Sequence, residues 1–206
     1  MEQKPTTREK ILRAAAQTFA NQGFEGARVD AIAHLAGVNK ASIYYNIGNK
    51  AALYEAVLTT IFTETFERFG LKIESIDTPE QKLEAYIRKL ADVMIGHPYL
   101  PKILMREQIS EGQHLPDAFV YNITQVLGTL EGILEEGQQK GVFASVDLIT
   151  IHFMVLGTLA FQITSSPIRR KKEAFKKKFR PVEPEDMEIL VRNIVTYTLK
   201  AVRKDS

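Results

Sequence analysis

The side chains best suited to chemistry lie close together in the first quarter of the chain. They are two ammonium groups, Lys40 and Lys50, one hydroxyl, Ser42, and two adjacent phenols, Tyr44 and Tyr45. Groups of these kinds bind phosphate oxygens and, in the grooves of a duplex, base edges. The chemistry that they predict is therefore recognition of nucleic acid, with no covalent bond made or broken.

The sequence offers no comparable set for catalysis or metal binding. It contains no cysteine, which excludes disulfides, thiol nucleophiles and cysteine metal ligands. Its four histidines lack the i, i+4 pairing of a metal site, and there is no HExxH motif, no pair of ExxH motifs and no glycine-rich phosphate loop. We predict no catalytic residue, metal or cofactor. We interpret the histidines as surface or core residues, although His152, inside an apolar segment, could face a pocket or a dimer partner.

The spacing of small and apolar residues explains how the donor groups could be presented to a duplex. A helix-turn-helix needs a small residue where its helices touch, a turn residue that tolerates positive φ, and a branched apolar residue that ties the second helix to the core. Ala33, Gly37 and Ile43 stand at these offsets, and Ile32 and Phe19 extend the small core. The pattern predicts a three-helix DNA-binding unit.

A second anion-binding feature follows the helix-turn-helix. Asn49 suits the N-cap of a longer helix, and Lys50 comes directly after it. Backbone N–H groups at a helix N-terminus and an ammonium group together bind anions, so we predict a phosphate contact from Lys50. Plain solvated surface is the alternative for Lys40 and Lys50. For Tyr44 and Tyr45 it is core packing, and we expect one of the two to pack and the other to reach DNA.

The rest of the chain has a helical pattern without convincing strand alternation. Thr6 and Glu9 form a capping box at the start of the first helix, and apolar residues recur at helical spacing through the second half. We predict an all-α fold of about nine helices. An N-terminal helix-turn-helix domain covers residues 1–50, and a larger helical domain covers 51–206, of which 51–70 form a connecting helix.

Caps and breakers mark several helix boundaries. Gly23 suits a left-handed cap, which would end the first helix there. Thr78 and Pro79 predict the start of another helix. Gly141 predicts a helix end, and Asp147 opens the helix that follows.

The stretch from about residue 6 to residue 55 resembles the DNA-binding domain of the TetR/AcrR family of bacterial regulators. The matching residues are Gly23-Phe24, Ile32-Ala33, Ala36-Gly37-Val38, Asn39-Lys40-Ala41-Ser42-Ile43-Tyr44-Tyr45-Asn46-Ile47 and Asn49-Lys50-Ala51-Ala52-Leu53. The match is more specific than a generic helix-turn-helix offset, because the Tyr-Tyr pair and the downstream Asn-Lys also fall in place.

Four positions depart from the family pattern. Arg28 stands where the family has threonine, so the next helix loses a capping hydroxyl, while an arginine could contact phosphate. Ala41 replaces a glycine, Asn46 a histidine and Ile47 a phenylalanine, so base readout near Ala41 and Asn46 should differ from that of relatives. The predicted DNA-binding residues are Arg28, Asn39, Lys40, Ala41, Ser42, Tyr44, Tyr45, Asn46 and Lys50.

The resemblance also implies an architecture and an activity. Family members are homodimers in which the last two long helices, about 146–166 and 185–203 in this sequence, form a four-helix interface. A pocket among the middle helices binds an effector, which usually releases the DNA. The implied function is a sequence-specific transcriptional repressor, released from an inverted-repeat operator by a small apolar effector. A ligand-independent regulator or an activator would carry the same motif.

Aromatic, methionine and amide side chains at helical spacing could line such a pocket. The same spacing is typical of ordinary core residues, which is the alternative for each of them. Arg106 and Glu107 could anchor a ligand or form a surface ion pair, and we favour the ion pair. The pocket candidates are Tyr86, Met94, Met105, Phe119, Tyr121, Phe153 and Gln162.

Two further stretches allow other interpretations. Leu148–Ile168 carries no charged side chain, and Arg169–Arg180 contains eight Lys or Arg residues against one Glu. The first could span a bilayer, but its many polar groups would be costly in lipid, so we predict a soluble helix buried on most sides. The second could bind DNA or anionic lipid, but its place between the last two helices favours a solvated connector.

Composition constrains location and rival functions. A polar N-terminal stretch and the lack of cysteine fit a cytoplasmic protein. The net charge is +2, so any DNA-binding surface must be local. A helical-bundle enzyme and a membrane-associated protein are the remote alternatives.

Overall fold

The computed structural model describes residues 4–66, 73, 75–178 and 186–204, with the side chains in these ranges except those of 61–66, 175 and 176. The helices, numbered in chain order, are α1 (Thr7–Gly26), α2 (Val29–Ala36), α3 (Lys40–Asn46), α4 (Lys50–Phe66), α5 (Pro79–Gly96), α6 (Leu100–Ile109), α7 (Asp117–Gln139), α8 (Leu148–Lys171), α9 (Glu173–Lys178) and α10 (Met187–Val202). The described ranges contain no strand, which confirms the all-α class; about nine helices were predicted and these ranges hold ten, two of them under eight residues long.

Side-chain caps begin several of these helices. The Thr6 hydroxyl accepts from the Glu9 backbone N–H at 3.2 Å, and Glu9 Oε2 accepts from the Thr6 backbone N–H at 2.9 Å. Thr78 caps α5 through its hydroxyl, and Asp147 caps α8 by accepting from Thr150 N at 2.7 Å. Each cap satisfies a backbone donor that the first helical turn leaves without an acceptor. The helix starts predicted from these residues are confirmed.

The first regular helical stretch ends at Gly23, as predicted, but a short helical stretch follows it and continues to Gly26. Gly23 forms a kink inside α1 with φ +72° and ψ 177°. Residues with a Cβ are strained at that φ, whereas glycine adopts it readily. The chain therefore bends at Gly23 and then resumes its helix.

The first of two compact units comprises residues 1–64 and 99–122 and is built on α1 to α4 and α6. α1 packs against α2 and α6, and α2 packs against α3. The core of this unit includes Ile11, Phe19, Ile32, Ile43 and Leu58. The short helix α2 thus packs directly on the longer α1, and α3 packs on α2.

The second unit comprises residues 65–98 and 123–206 and contains α5, most of α7, and α8 to α10. α10 packs against α5 and α8, α5 also packs against α8, and α9 packs against α8. The apolar core of this unit includes Leu83, Ile87, Leu130, Val155 and Val195.

The end of α10 is tied to the connection between α7 and α8. Ala144 N donates to the Val202 carbonyl at 2.8 Å, and the neighbouring Phe143 is 3% exposed. The Phe143 ring lies against Gly137 of α7, where an added Cβ would stand 1.9 Å from ring carbon Cδ2. Glycine at 137 is what leaves room for this ring.

The prediction that residues 148–168 are buried on most sides is wrong for the single chain. Among the described residues, α8 alone is long and apolar enough to cross a membrane by length and composition, and 28% of its most apolar window is buried. One face packs on α5 and α10, while Phe153 and Phe161 are 51% and 62% exposed. Helices of its own unit thus cover only one side of α8.

The described side chains of the basic run are exposed, except for the half-buried Arg169, as the predicted solvated connector requires, and most of the run is helical. Arg169, Arg170 and Lys171 belong to the last turn of α8, and α9 follows after one residue. Residues 179 and 180 lie outside the described residues. Cations at the end of α8 oppose the negative end of its dipole, which stabilises a helix there.

Candidate nucleic-acid interface

Two short helices and a tight turn form the helix-turn-helix. α2 ends at Ala36, and Gly37 takes a left-handed conformation, φ +68° and ψ +35°, which turns the chain directly toward α3. Ala33 and Ile43 are 4% and 0% exposed, so they join both helices to the core as the sequence predicted. The outer face of α3 is thereby held in a fixed relation to α1 and α2.

The outer face of α3 is polar and exposed. Tyr45 is 92% exposed and Tyr44 is 49% exposed, so the expectation that one of the two phenols would pack in the core is wrong. Ala41 is exposed on the same helix. A phenol with almost no contact to its own chain is available to a partner, and it offers both a ring face and a hydroxyl.

Asn39, Ser42 and Asn46 form a hydrogen-bonded set along α3. Asn39 Oδ1 accepts from Ser42 N at 2.7 Å and from Ser42 Oγ at 2.9 Å, which makes Asn39 the N-cap. Asn46 Nδ2 donates to the Ser42 carbonyl at 2.7 Å. The main hydrogen bonds of these side chains are therefore within α3, where they stabilise the helix. The Ser42 hydroxyl keeps acceptor capacity and Asn46 keeps its carbonyl oxygen for an outside donor.

Two cations lie beside this face. Lys40 Nζ donates to Asp30 Oδ2 at 3.0 Å, and this hydrogen bond raises the pKa of Lys40 above its ordinary value. Both side chains are exposed, so a phosphate can compete with Asp30 for the ammonium group. Arg28 is exposed and begins α2 without a side-chain cap, as expected from the loss of threonine.

Lys50 is directed toward the end of α1. Its Nζ lies 4.5 Å from the centroid of the Phe24 ring and donates to the Glu25 carbonyl at 3.2 Å. Asn49 accepts from Ala52 N at 2.9 Å, as its predicted role at the start of α4 requires. The ring and the carbonyl hold the ammonium group beside α1, so the phosphate contact of Lys50 stays a prediction.

Sequence reasoning missed a buried polar pair between α4 and α6. The Tyr54 hydroxyl donates to Glu107 Oε1 at 2.5 Å, and burial, followed by this bond, raises the pKa of Tyr54. Glu107 is 4% exposed and also accepts from Ser110 Oγ at 3.3 Å and His114 N at 3.4 Å. The predicted surface ion pair of Arg106 with Glu107 is therefore wrong, because Glu107 points into the unit toward these donors.

Arg106 instead binds the backbone of α1. Its Nε donates to the Ala20 carbonyl at 3.0 Å and its Nη2 to the Asn21 carbonyl at 2.6 Å. Because Gly23 interrupts the regular helix, carbonyls just before the kink need other donors, and the guanidinium supplies them. α6 is thus bonded to both α1 and α4. Its partners are 85 and 86 positions away, so no local pattern could have indicated this contact.

The seven predicted pocket residues are divided between the two units, with Met105, Phe119 and Tyr121 in the first and the other four in the second. Their exposed fractions are 0% for Tyr86, 3% for Met94, 1% for Phe119, 51% for Phe153 and 65% for Tyr121, while Met105 and Gln162 are half-buried. Met94 and Gln162 line the same groove, between α5 and α8. Tyr121 and Phe153 lie on the surface of the single chain, so neither lines a pocket within it.

His152 is a satisfied core residue of the second unit. Its Nδ1 lies 2.9 Å from the Tyr86 hydroxyl, within hydrogen-bond distance. Burial lowers the pKa of His152 and raises the pKa of Tyr86, so both groups are neutral at physiological pH. Within the described part of the chain, no three His, Asp or Glu side chains stand together as a metal site would require.

Large apolar side chains cover the outer sides of α8 and α10. Five are on α8 and two on α10, each between 41% and 62% exposed. They are Ile149, Phe153, Met154, Phe161, Ile168, Ile189 and Tyr197. Exposed apolar surface of this extent is typical of a face that another protein surface covers.

Two family models match the chain. Residues 11–57 match the one described as bacterial regulatory proteins, tetR family, and residues 79–172 match one described as tetracyclin repressor-like, C-terminal domain. The HTH-type transcriptional repressor NicS of Pseudomonas putida is 31% identical over 168 residues, which cover 80% of this chain and 79% of that protein.

Solved structures share the fold. The ketosteroid transcriptional regulator KstR2 of Mycobacterium tuberculosis has a TM-score of 0.74 at 20% identity, over 98% of each chain. FadR from Bacillus subtilis in complex with stearoyl-CoA has a TM-score of 0.69 at 22% identity, over 94% of this chain and 98% of that one. The chain belongs to the TetR family of bacterial transcriptional regulators, which confirms the resemblance found in the sequence.

Proposed function

We propose that this chain is a sequence-specific DNA-binding transcriptional repressor that a small molecule releases from its operator. The observation that carries the proposal is the outer face of α3, where Tyr45 is 92% exposed beside Lys40 and Tyr44, on a helix fixed by Gly37 and Ile43. This face presents donors and ring surfaces that a major groove accepts. We assign the DNA-contacting role to the nine residues predicted from the sequence.

The active species is a homodimer joined through α8 and α10. Support comes from the exposed apolar side chains of these two helices, which in the single chain face water. Two recognition helices related by a two-fold axis would enter major grooves about 34 Å apart or at a larger multiple, and the operator would be an inverted repeat. The DNA-binding domain is residues 1–50, and residues 51–206 serve effector binding and dimerisation.

Release requires an effector that binds the DNA-free arrangement more tightly than the DNA-bound one. α6 supports this step, because Arg106 bonds it to α1 and Glu107 bonds it to α4, so a displacement of α6 acts directly on both helices. FadR from Bacillus subtilis, which shares this fold, was solved in complex with stearoyl-CoA. A small, mainly apolar effector fits the second unit of this chain as well. The protein acts in the cytoplasm and has no enzymatic activity of its own.

Selection of genomic fragments tests the proposal. Purified protein is mixed with fragmented DNA and excess competitor at moderate salt, and the bound DNA is sequenced. We expect a few enriched fragments that share an inverted repeat, and loss of enrichment with the double variant Lys40→Ala/Tyr45→Ala. A folded dimer that enriches no fragment, or a double variant that enriches the same ones, would contradict the assignment.

A further inference from the structure

A groove of about 340 Å³ opens in the second unit between the end of α5, the second half of α8 and the start of α10. Its walls are mainly hydrocarbon and thioether. The apolar lining residues are Met94, Ile95, Pro98, Ile163, Pro167 and Met187. Its volume lies at the lower end of the range for small-molecule sites, and apolar lining with a few polar groups is their usual composition.

The amide of Gln162 offers this groove only donors. Arg169 Nη1 donates to Gln162 Oε1 at 2.7 Å, and Arg169 Nη2 donates to the Gln162 carbonyl at 2.8 Å. A guanidinium has donors and no acceptor, so the amide oxygen must face Arg169. The NH₂ group of Gln162 is the part that remains for an occupant of the groove.

The other polar side chains that line the groove also carry hydrogen-bond donors. Arg170 lines it with a guanidinium, and Ser166 adds a hydroxyl. No acidic side chain lines the groove among the residues that the structure describes. A set of donors and a cation at an apolar groove is complementary to an oxyanion attached to a hydrocarbon body.

The charge around the groove is mainly positive, although Glu173 lies in the basic run and Asp186 directly precedes Met187. Arg170 belongs to the basic run, which continues through Lys171 and Lys172 to the exposed Lys177 and Lys178 of α9. The last turn of α8 alone holds three of these cations, and more follow it. The local field of the run therefore favours an anionic occupant.

We propose that this groove binds an amphipathic anion. The hydrocarbon body lies among Met94, Ile163 and Met187, and the oxyanion head binds the Arg170 guanidinium and the Gln162 amide N–H groups. The inference rests on the proposed function, since it names the chemical class of the effector. It also assigns to the basic run, through Arg170, a role in effector binding that is separate from DNA contact.

Three probes separate the two halves of the ligand. Octyl phosphate has both chain and charge, octanol has the chain alone, and inorganic phosphate has the charge alone. In isothermal titration at a concentration where octyl phosphate is monomeric, we expect it to bind at least tenfold more tightly than either of the others. Equal affinities of octyl phosphate and octanol would overturn the proposal.

Two variants test the assigned head group. Gln162→Glu keeps an oxygen for Arg169 and replaces the donor NH₂ by a second oxygen, so octyl phosphate should bind at least tenfold more weakly while octanol is unaffected. Arg170→Gln should weaken octyl phosphate to a similar extent. Lys178→Gln is the matched control, because Lys178 belongs to the same basic run but does not line the groove. Equal losses in all three variants would show a diffuse charge effect and overturn the site.

Two further arms identify the source of the anion and separate this inference from the proposed function. Binding to phosphatidylglycerol vesicles that exceeds binding to monomeric octyl phosphate would overturn the proposal in favour of a lipid surface. Enriched DNA fragments are then titrated with octyl phosphate. DNA binding by a protein that ignores octyl phosphate rejects the groove and leaves the DNA-binding function standing. Octyl phosphate binding with the expected variant pattern, by a protein that binds no fragment, supports the groove and rejects the repressor.

Discussion

Helices α3 and α8 both expose aromatic side chains, but with different chemistry. On α3 the exposed rings are the phenols Tyr44 and Tyr45, with Lys40 on the same helix. On α8 they are Phe153 and Phe161, which carry no polar atom. A phenol suits a wet and charged partner such as a nucleic-acid backbone, whereas a phenyl ring suits a surface from which water is excluded. On these two helices the group at the tip of the exposed ring thus distinguishes the two faces, which exposure alone does not.

The inner faces of the two helices differ less. α3 buries the hydrocarbon Ile43, and α8 buries mainly hydrocarbon side chains together with the imidazole of His152, which lies against Tyr86. α3 is therefore polar outside and apolar inside, whereas α8 is apolar on both sides with a polar group at one core position. Changes on the outer faces of both helices and at His152 test this difference.

The largest effect is expected from a charge on the outer face of α8. Phe161→Lys places an ammonium group on the proposed dimer interface, and we expect the dissociation constant of the dimer to rise at least 100-fold, which corresponds to about 3 kcal/mol. Sedimentation over a concentration series measures it. Ile109→Lys is the control, because Ile109 is 84% exposed on α6, outside that face. An unchanged dimer of the Phe161 variant would remove the distinction between the two kinds of ring.

The second effect concerns the outer face of α3. Tyr45→Ala should weaken operator binding about 10- to 100-fold while leaving the dimer and the melting temperature unchanged, since the side chain makes almost no contact with its own chain. Tyr45→Phe keeps the ring and removes the hydroxyl, so its operator affinity should lie between that of the parent and that of Tyr45→Ala. Full affinity of the phenylalanine variant would mean that stacking alone accounts for the contact, against our emphasis on the hydroxyl.

A smaller effect is expected from the inner face of α8. Burial lowers the pKa of His152 below its ordinary value, so the folded protein resists protonation there while the unfolded chain takes up a proton below about pH 6.5. Stability from this group is present above that pH and is lost as the pH falls toward the lowered pKa. His152→Gln removes this titrating group. Between pH 7.5 and 5.5 the melting temperature of the variant should therefore fall by about 2–4 °C less than that of the parent. The same fall in melting temperature for both proteins would show that the pKa of His152 does not differ between the folded and unfolded states.

The smallest effect is expected at the exposed pair of Lys40 and Asp30. Lys40→Ala should leave the melting temperature unchanged and lower the slope of log affinity against log salt by about one, because one phosphate contact is lost. Asp30→Ala serves as the control, since it frees the ammonium group and should keep or steepen the slope. Equal slopes for the Lys40 variant and the parent would show that Lys40 stays with Asp30 when DNA binds.

The helix-turn-helix could be predicted from the sequence because each of its requirements is local. Gly37 supplies a positive φ at its own position, Asn39 caps α3 by accepting from the backbone N–H three residues ahead, and Ile43 is buried through helical spacing. Gly23 interrupts the helix through its positive φ, as predicted, but the local pattern did not indicate the short helical stretch that follows. The Arg106 guanidinium serves the carbonyls before the kink and lets the helix resume.

The helices of the second unit could be predicted from the sequence, but the residues that line a binding site could not. Helical spacing indicates which residues face inward, but not which helix lies opposite, so Tyr86 and Phe119 could not be separated from true pocket residues. Phe153 was predicted as a pocket residue because it is apolar, yet the outer side of α8 has no cover in the single chain. The role proposed for Gln162 depends on its contact with Arg169, seven residues later, because that contact decides which half of the amide faces the groove.

The close approach of Phe143 to Gly137 has a consequence for sequence variation. α7 carries two other glycines, Gly128 and Gly132, where no described atom lies within 4 Å of an added Cβ. Alanine at either of these should be accepted and should favour the helix by up to about 1 kcal/mol. At 137 any side chain would displace the Phe143 ring and with it the strand-like pairing that anchors the end of α10. In a library randomised at the three positions and selected for folded protein, position 137 should return glycine alone while the other two drift.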